Sequence, residues 1–150
     1  MPSVRELITA DIQTVLNTIT IANGYDNDLS GWAIRLDMTE DDYTLPMAMV
    51  WFGGEEKRYD QSDALTCEAQ YGIRVVMRDG TASLSTVLDS YITDLERALM
   101  VDATRGGRAI DTLLRGHTVF EPIDDESTHG AIVDVAVRYR HDIEDPRVVA

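Results

Sequence analysis

The chain has 150 residues, and 13 basic against 27 acidic side chains give it a formal net charge of −14. This length suits one domain with a radius of gyration of roughly 15 Å, enough to hide about two thirds of the unfolded surface. The charge argues against a free-standing binder of duplex DNA, whose affinity comes mainly from neutralising phosphates, and against anionic membranes.

Cys67 is the single cysteine, so an intrachain disulfide is excluded and a Cys-based zinc site has no ligand set. Met1 to Ala10 carries Arg5 and Glu6 in place of an apolar signal core, and no apolar run approaches the ~20 residues of a membrane span. The expectation is one domain over residues 1–150, folded in a reducing cytoplasm.

Val4, Leu7, Ile8, Ile12, Val15, Leu16 and Ile19 follow helical spacing, with Asp11 as one polar intruder, and predict a helix over about 3–20. Ser3 is its expected N-cap, Glu6 completes a capping box, and Asn23-Gly24 is the expected stop. Trp32, Ile34, Leu36 and Met38 alternate with Ala33, Arg35 and Asp37 as a strand does. A polar turn over 39–44 leads to an apolar run over 45–52, read as a strand covered on both faces, with Pro46 at its start. Trp51 and Phe52 are expected in the core, and either would suit an interface if it faced outward.

The two glycines and six charges of 53–63 predict a long exposed loop. Residues 65–77 return to period two, with one face toward the core and the other toward solvent or a partner. Asp79-Gly80 turns the chain, and Leu84, Val87, Leu88, Tyr91, Ile92, Leu95, Ala98 and Leu99 predict a second helix over about 82–100. Arg105, Gly106, Gly107 and Arg108 form a loop before strands over about 113–123 and 131–140, which an acidic turn at 124–126 joins. The order α-β-β-β-α-β-β predicts an α+β, two-layer fold: a largely antiparallel or mixed sheet of about five strands packed by two helices.

Chemistry is hard to find in this pattern. His117, His129 and His141 are spaced by twelve. In a hairpin, nine or ten residues of strand already separate its tip from its open end by ~30 Å, so the three cannot share an ion. They read as exposed strand-end residues, with His117 and His141 the one pair able to meet across strands. The acidic triplets at 40–42 and 124–126 lack the spacing and central glycine of an EF-hand and read as ordinary turns. The Arg105–Arg108 loop follows a helix and lacks the Gly-x-x-x-x-Gly-Lys-Ser/Thr of a phosphate loop. Cys67 falls on the apolar side of its strand, and no Gly-x-Ser-x-Gly elbow occurs. No catalytic, cofactor or metal residues are assigned. The two charged loops, Glu55, Glu56, Lys57 and Arg58 with Arg105, Gly106, Gly107 and Arg108, are the candidate subunit contacts, a plain turn being the other reading of the second loop.

Several stretches taken in order carry a family resemblance. The first helix runs into Thr20-Ile21-Ala22-Asn23-Gly24-Tyr25, and a strand opens on Leu45-Pro46 and ends before Gly53-Gly54-Glu55-Glu56. The second helix leads to Asp102-Ala103-Thr104-Arg105-Gly106-Gly107 and Ala109-Ile110-Asp111-Thr112. Val135-Ala136-Val137-Arg138-Tyr139-Arg140 precedes Asp145-Pro146 near the end. In these features the chain resembles the tail terminator (tail completion, or minor tail) proteins of long-tailed bacteriophages. The resemblance implies a virion protein assembled in the host cytoplasm into a six-membered ring on the head-proximal end of the tail tube. Its implied partners are its own copies, the tail tube protein and the head-tail connector, and DNA would pass through without specific binding. An acidic inner wall would keep that DNA mobile at separations within about 8 Å, the Debye length at physiological salt. A neck or head-completion subunit is the alternative within this setting. An acidic DNA-mimic inhibitor is the alternative of another class, although the carboxylates cluster in turns rather than along one face.

Overall fold

The computed structural model describes residues 1–33, 46–60, 63–78, 84–120 and 128–150, and it is a mixed α+β structure. Helices α1 (Val4–Leu16) and α2 (Leu84–Val101) accompany, among the described residues, strands β1 (Ser30–Ala33), β2 (Met47–Tyr59), β3 (Ala64–Arg78), β4 (Asp111–Phe120) and β5 (Thr128–Asp142). The spatial order in the sheet is β1-β2-β3-β5-β4. Neighbours from β2 to β4 pair antiparallel, and β1 lies parallel to the first four residues of β2, Met47 to Val50. The rest of the strand expected over 32–38, the turn at 39–44, Asp79-Gly80 and both acidic triplets lie outside the described residues.

Helix α1 buries Val4, Ile8, Ile12 and Leu16, spaced by four so that they stack on one face. Ser3 caps it by accepting the Glu6 N–H, and the Pro146 carbonyl accepts the Val4 N–H, so two amides of the first turn are satisfied. The helix stops at Leu16, short of the expected 20. Thr18, Ile19, Thr20 and Ile21 form a β-branched run whose side chains lose rotamer freedom in a helix. Ile19 stays buried outside the helix, and its carbonyl accepts the Leu29 N–H. Asn23-Gly24 instead closes a short 3-10 turn at Ile21–Asn23, with Gly24 left-handed at φ 89°.

The α1 stripe meets Ile92, Leu95, Ala98 and Leu99 of α2 over Val50, Cys67, Ala69, Ile73, Val133, Val135 and Val137 of the sheet. A second, smaller apolar cluster, Met47, Met49 and Val76, lies on the opposite face of the sheet. Each fully buried aliphatic side chain adds about 1.5–3 kcal/mol, so the helix-facing cluster is the main source of stability.

The predicted loop over 53–63 is corrected: β2 continues to Tyr59, and Gly54 to Tyr59 pair with Leu65 to Gln70 of β3. A bulge between Phe52 and Gly54, with Gly54 at φ 127°, absorbs the glycines that suggested a loop. The charges alternate across the strand. Glu55 and Lys57 lie on the helix side, and Glu56 and Arg58 fall in register with Glu68 and Thr66 on the other.

Candidate functional site

Glu55 organises the first predicted contact segment. Its Oε1 takes Arg5 from α1 at 2.8 Å and Lys57 at 3.3 Å, and its Oε2 accepts the Tyr139 hydroxyl at 2.7 Å. Its side chain is only 7% exposed, so it is a structural anchor between α1 and the sheet rather than a contact for a neighbour. Burial raises its pKa, but the Tyr139 hydroxyl, Arg5 and Lys57 outweigh that and hold the carboxyl below its ordinary 4.5. The folded value therefore lies under the unfolded one. The carboxylate's stabilisation is present above the ordinary value and lost as pH falls through the folded value. Glu55→Gln is expected to cost about 1–2 kcal/mol near pH 7 and to flatten the acid side of the stability curve. Denaturant melts from pH 7 to 3 check both.

At Arg105 the contact reading is corrected in favour of the plain turn. It is fully buried and cannot reach a neighbouring subunit. It occupies a left-handed position, φ 51°, just past α2, where Gly106 and Gly107 also have positive φ. Its guanidinium donates to the carbonyls of Leu99 and Asp102 and pairs with Asp11 of α1 at 3.4 Å. Asp102 in turn accepts from Thr104 and Gly106, which closes the turn. Arg108, half-buried, donates to the Arg105 carbonyl at 3.3 Å. The four-residue loop is thus a helix stop built around an internal cation. The exposed charge of the first segment falls on Glu56, Lys57 and Arg58.

The histidines do not converge. His117 is opposite Val133 and exposed, whereas His141 is opposite Leu65, eight residues further along β5, or about 26 Å. His117 and His141 are therefore not cross-strand neighbours. His141 is not an exposed strand-end residue either. It is buried, its Nδ1 lies 2.6 Å from the Asp142 carbonyl, and its Nε2 is 2.9 Å from Lys57 Nζ. The ammonium can only donate, so Nε2 is the acceptor and Nδ1 carries the proton. Among the described residues no group of three metal-ligating side chains assembles, and no helix is long and apolar enough to cross a membrane. Cys67 is buried as expected, and burial pushes its thiol up, away from the reactive thiolate.

What sequence periodicity alone did not reveal is the state of the sheet's two margins. The described residues of β1 pair β2 from Met47 to Val50, and among the described residues no strand pairs the outer edge of β2 from Trp51 to Tyr59. β4 forms the other margin, and its residues 114–119 are all exposed. Phe52 on one margin and Leu114 and Val119 on the other are among the exposed large apolar side chains, at 38%, 39% and 53%. The two predicted contact segments also separate by margin, since 55–58 belong to β2 and 105–108 lead into β4.

The open sheet face between these margins carries cross-strand ion pairs: Arg138 with Asp111, Arg115 with Glu68, and Arg140 with Asp60. Pairing on this face offsets charge locally in a molecule of net −14. Compared with models of known protein families and with curated proteins, the chain matches none.

Proposed function

We propose that this chain is a tail-terminator subunit of a long-tailed bacteriophage. In this reading it forms a ring, six-membered by the resemblance, on the head-proximal end of the tail tube, ends tube growth and docks the head connector. The carrying observation is that, among the described residues, one sheet offers two unlike margins that no further strand pairs, β2 from Trp51 to Tyr59 and β4. Unlike surfaces on opposite sides of a subunit are what a heterologous contact requires, and a heterologous contact that closes makes a ring. A two-layer α-β-β-β-α-β-β domain, with five strands and two helices, supplies a rigid wall for it. The surplus of 27 acidic over 13 basic residues suits a wall that DNA passes without being gripped.

The same logic explains how such a ring would stop growth. A tube lengthens because each added ring presents a top face like the one it bound. A terminator binds that face and presents a different one, so further tube subunits lose their complementary contacts. Deleting the gene is expected to leave filled heads without tails and tubes of uncontrolled length in electron micrographs of the lysate. Free tails of normal length would reject the terminator assignment and favour a neck subunit.

A further inference from the structure

We infer that copies of this chain join by continuing one sheet into the next, the β4 margin of one subunit pairing antiparallel with the Trp51–Tyr59 margin of its neighbour. The inference rests on the ring reading above and gives that ring its joint.

Direction carries the first part of the argument. β2 and β3, β3 and β5, and β5 and β4 are all antiparallel pairs. β2 and β5 therefore run one way and β3 and β4 the other. A neighbour placed beside β4 with its sheet facing the same way presents its β2 antiparallel to β4, which continues the existing alternation.

Register carries the second part. Each margin strand holds one extra residue, between Phe52 and Gly54 on β2 and between Leu114 and Gly116 on β4. A lone bulge would turn every residue beyond it to the wrong face. Two bulges, one on each strand, cancel. Setting Lys57 opposite Leu114 places Glu55 opposite His117 and Phe52 opposite Val119, with helix-side residues meeting helix-side residues from Trp51 to Tyr59, a stretch that no other strand pairs among the described residues. On the other face Glu56 then comes opposite the Arg115–Gly116 bulge, setting unlike charges against each other. Phe52 and Val119, both partly exposed in the subunit, cover one another in this arrangement.

An unpaired strand is a template for another strand, and natural sheets blunt it with proline, a short edge, charge or a bulge; here the charges of one margin find opposite charge on the other and the two bulges match. Neither stretch contains proline. Main-chain hydrogen bonds would supply affinity and alternate side chains the choice of partner.

The test is disulfide cross-linking of the whole chain. Phe52→Cys with Val119→Cys is expected to yield, on oxidation, a ladder of linked multimers on a non-reducing gel, while each single variant yields none. Lys57→Cys with Leu114→Cys probes the same joint through different side chains, should the first pair disturb folding. Dimers from Val119→Cys alone would overturn the inference in favour of two-fold β4 pairing. No ladder from either double variant, or an unmodified chain that sediments as a monomer at its highest soluble concentration, would also overturn it. Normal-length free tails in the gene-deletion lysate with the ladder intact would reject the terminator reading and leave the joint standing.

Discussion

Arg105→Ala is expected to lower stability by about 3 kcal/mol, the toll of breaking one side of a buried ion pair. The loss takes away the cation paired with Asp11 and strips the Leu99 and Asp102 carbonyls at the end of α2 of a donor. Domains of this size are held by roughly 5–15 kcal/mol, so the effect is a large share of the total. The backbone adds a separable component. At φ 51° a side chain with Cβ is strained, which glycine avoids by roughly 1 kcal/mol. Arg105→Gly should therefore be less damaging than Arg105→Ala although both lose the guanidinium. Arg105→Glu should be worst, because it buries a carboxylate facing Asp11 and two carbonyls. Urea melts of the three variants should rank Gly, Ala, Glu in order of falling midpoint. Midpoints equal to that of the unmodified chain would mean that the guanidinium contributes nothing and that Asp102 alone holds the turn.

How much of this was legible in the sequence follows from which residues act locally. The apolar spacing of α1 and α2 and the alternation of β3 depend on near neighbours and identify the layers, and Ser3 acts as the expected N-cap. The end of α1 was misjudged because Ile19 keeps the helical spacing while the β-branched residues around it break the helix. Gly53-Gly54 followed by four charges imitates a loop because composition does not reveal a bulge, which exists only relative to the paired strand. Arg105 is the most instructive case. Asp11 stood out as one carboxylate on an apolar helix face, and such an intruder needs a cation. Nothing local says which of the basic residues supplies it, since 94 residues separate the pair. The sheet margins were hidden for a related reason: strand order is a property of pairing, not of any one segment.

Gly72→Ala tests close packing on the sheet face away from the helices, and it is expected to cost about 2 kcal/mol. Gly72 sits in β3 opposite Trp51 of β2, and the indole lies across the position a side chain would take. A Cβ there would overlap three atoms of the indole ring. Carbon atoms prefer separations near 3.5–4.0 Å, so the ring must leave. It is rigid and half-buried, and it cannot relieve the overlap by bending at its far end as a lysine or methionine would. Displacing it uncovers Gly72 and sacrifices the close contact that the glycine permits. The collision predicts strong coupling between the two positions. In a Trp51→Leu background the smaller, flexible side chain accommodates the extra methyl, and Gly72→Ala should then cost well under 1 kcal/mol. The double-mutant cycle, read from denaturant melts, should give an interaction energy of about 1–2 kcal/mol. Additive effects would mean that the cost arises in β3 itself and that the indole is not what requires glycine at this position.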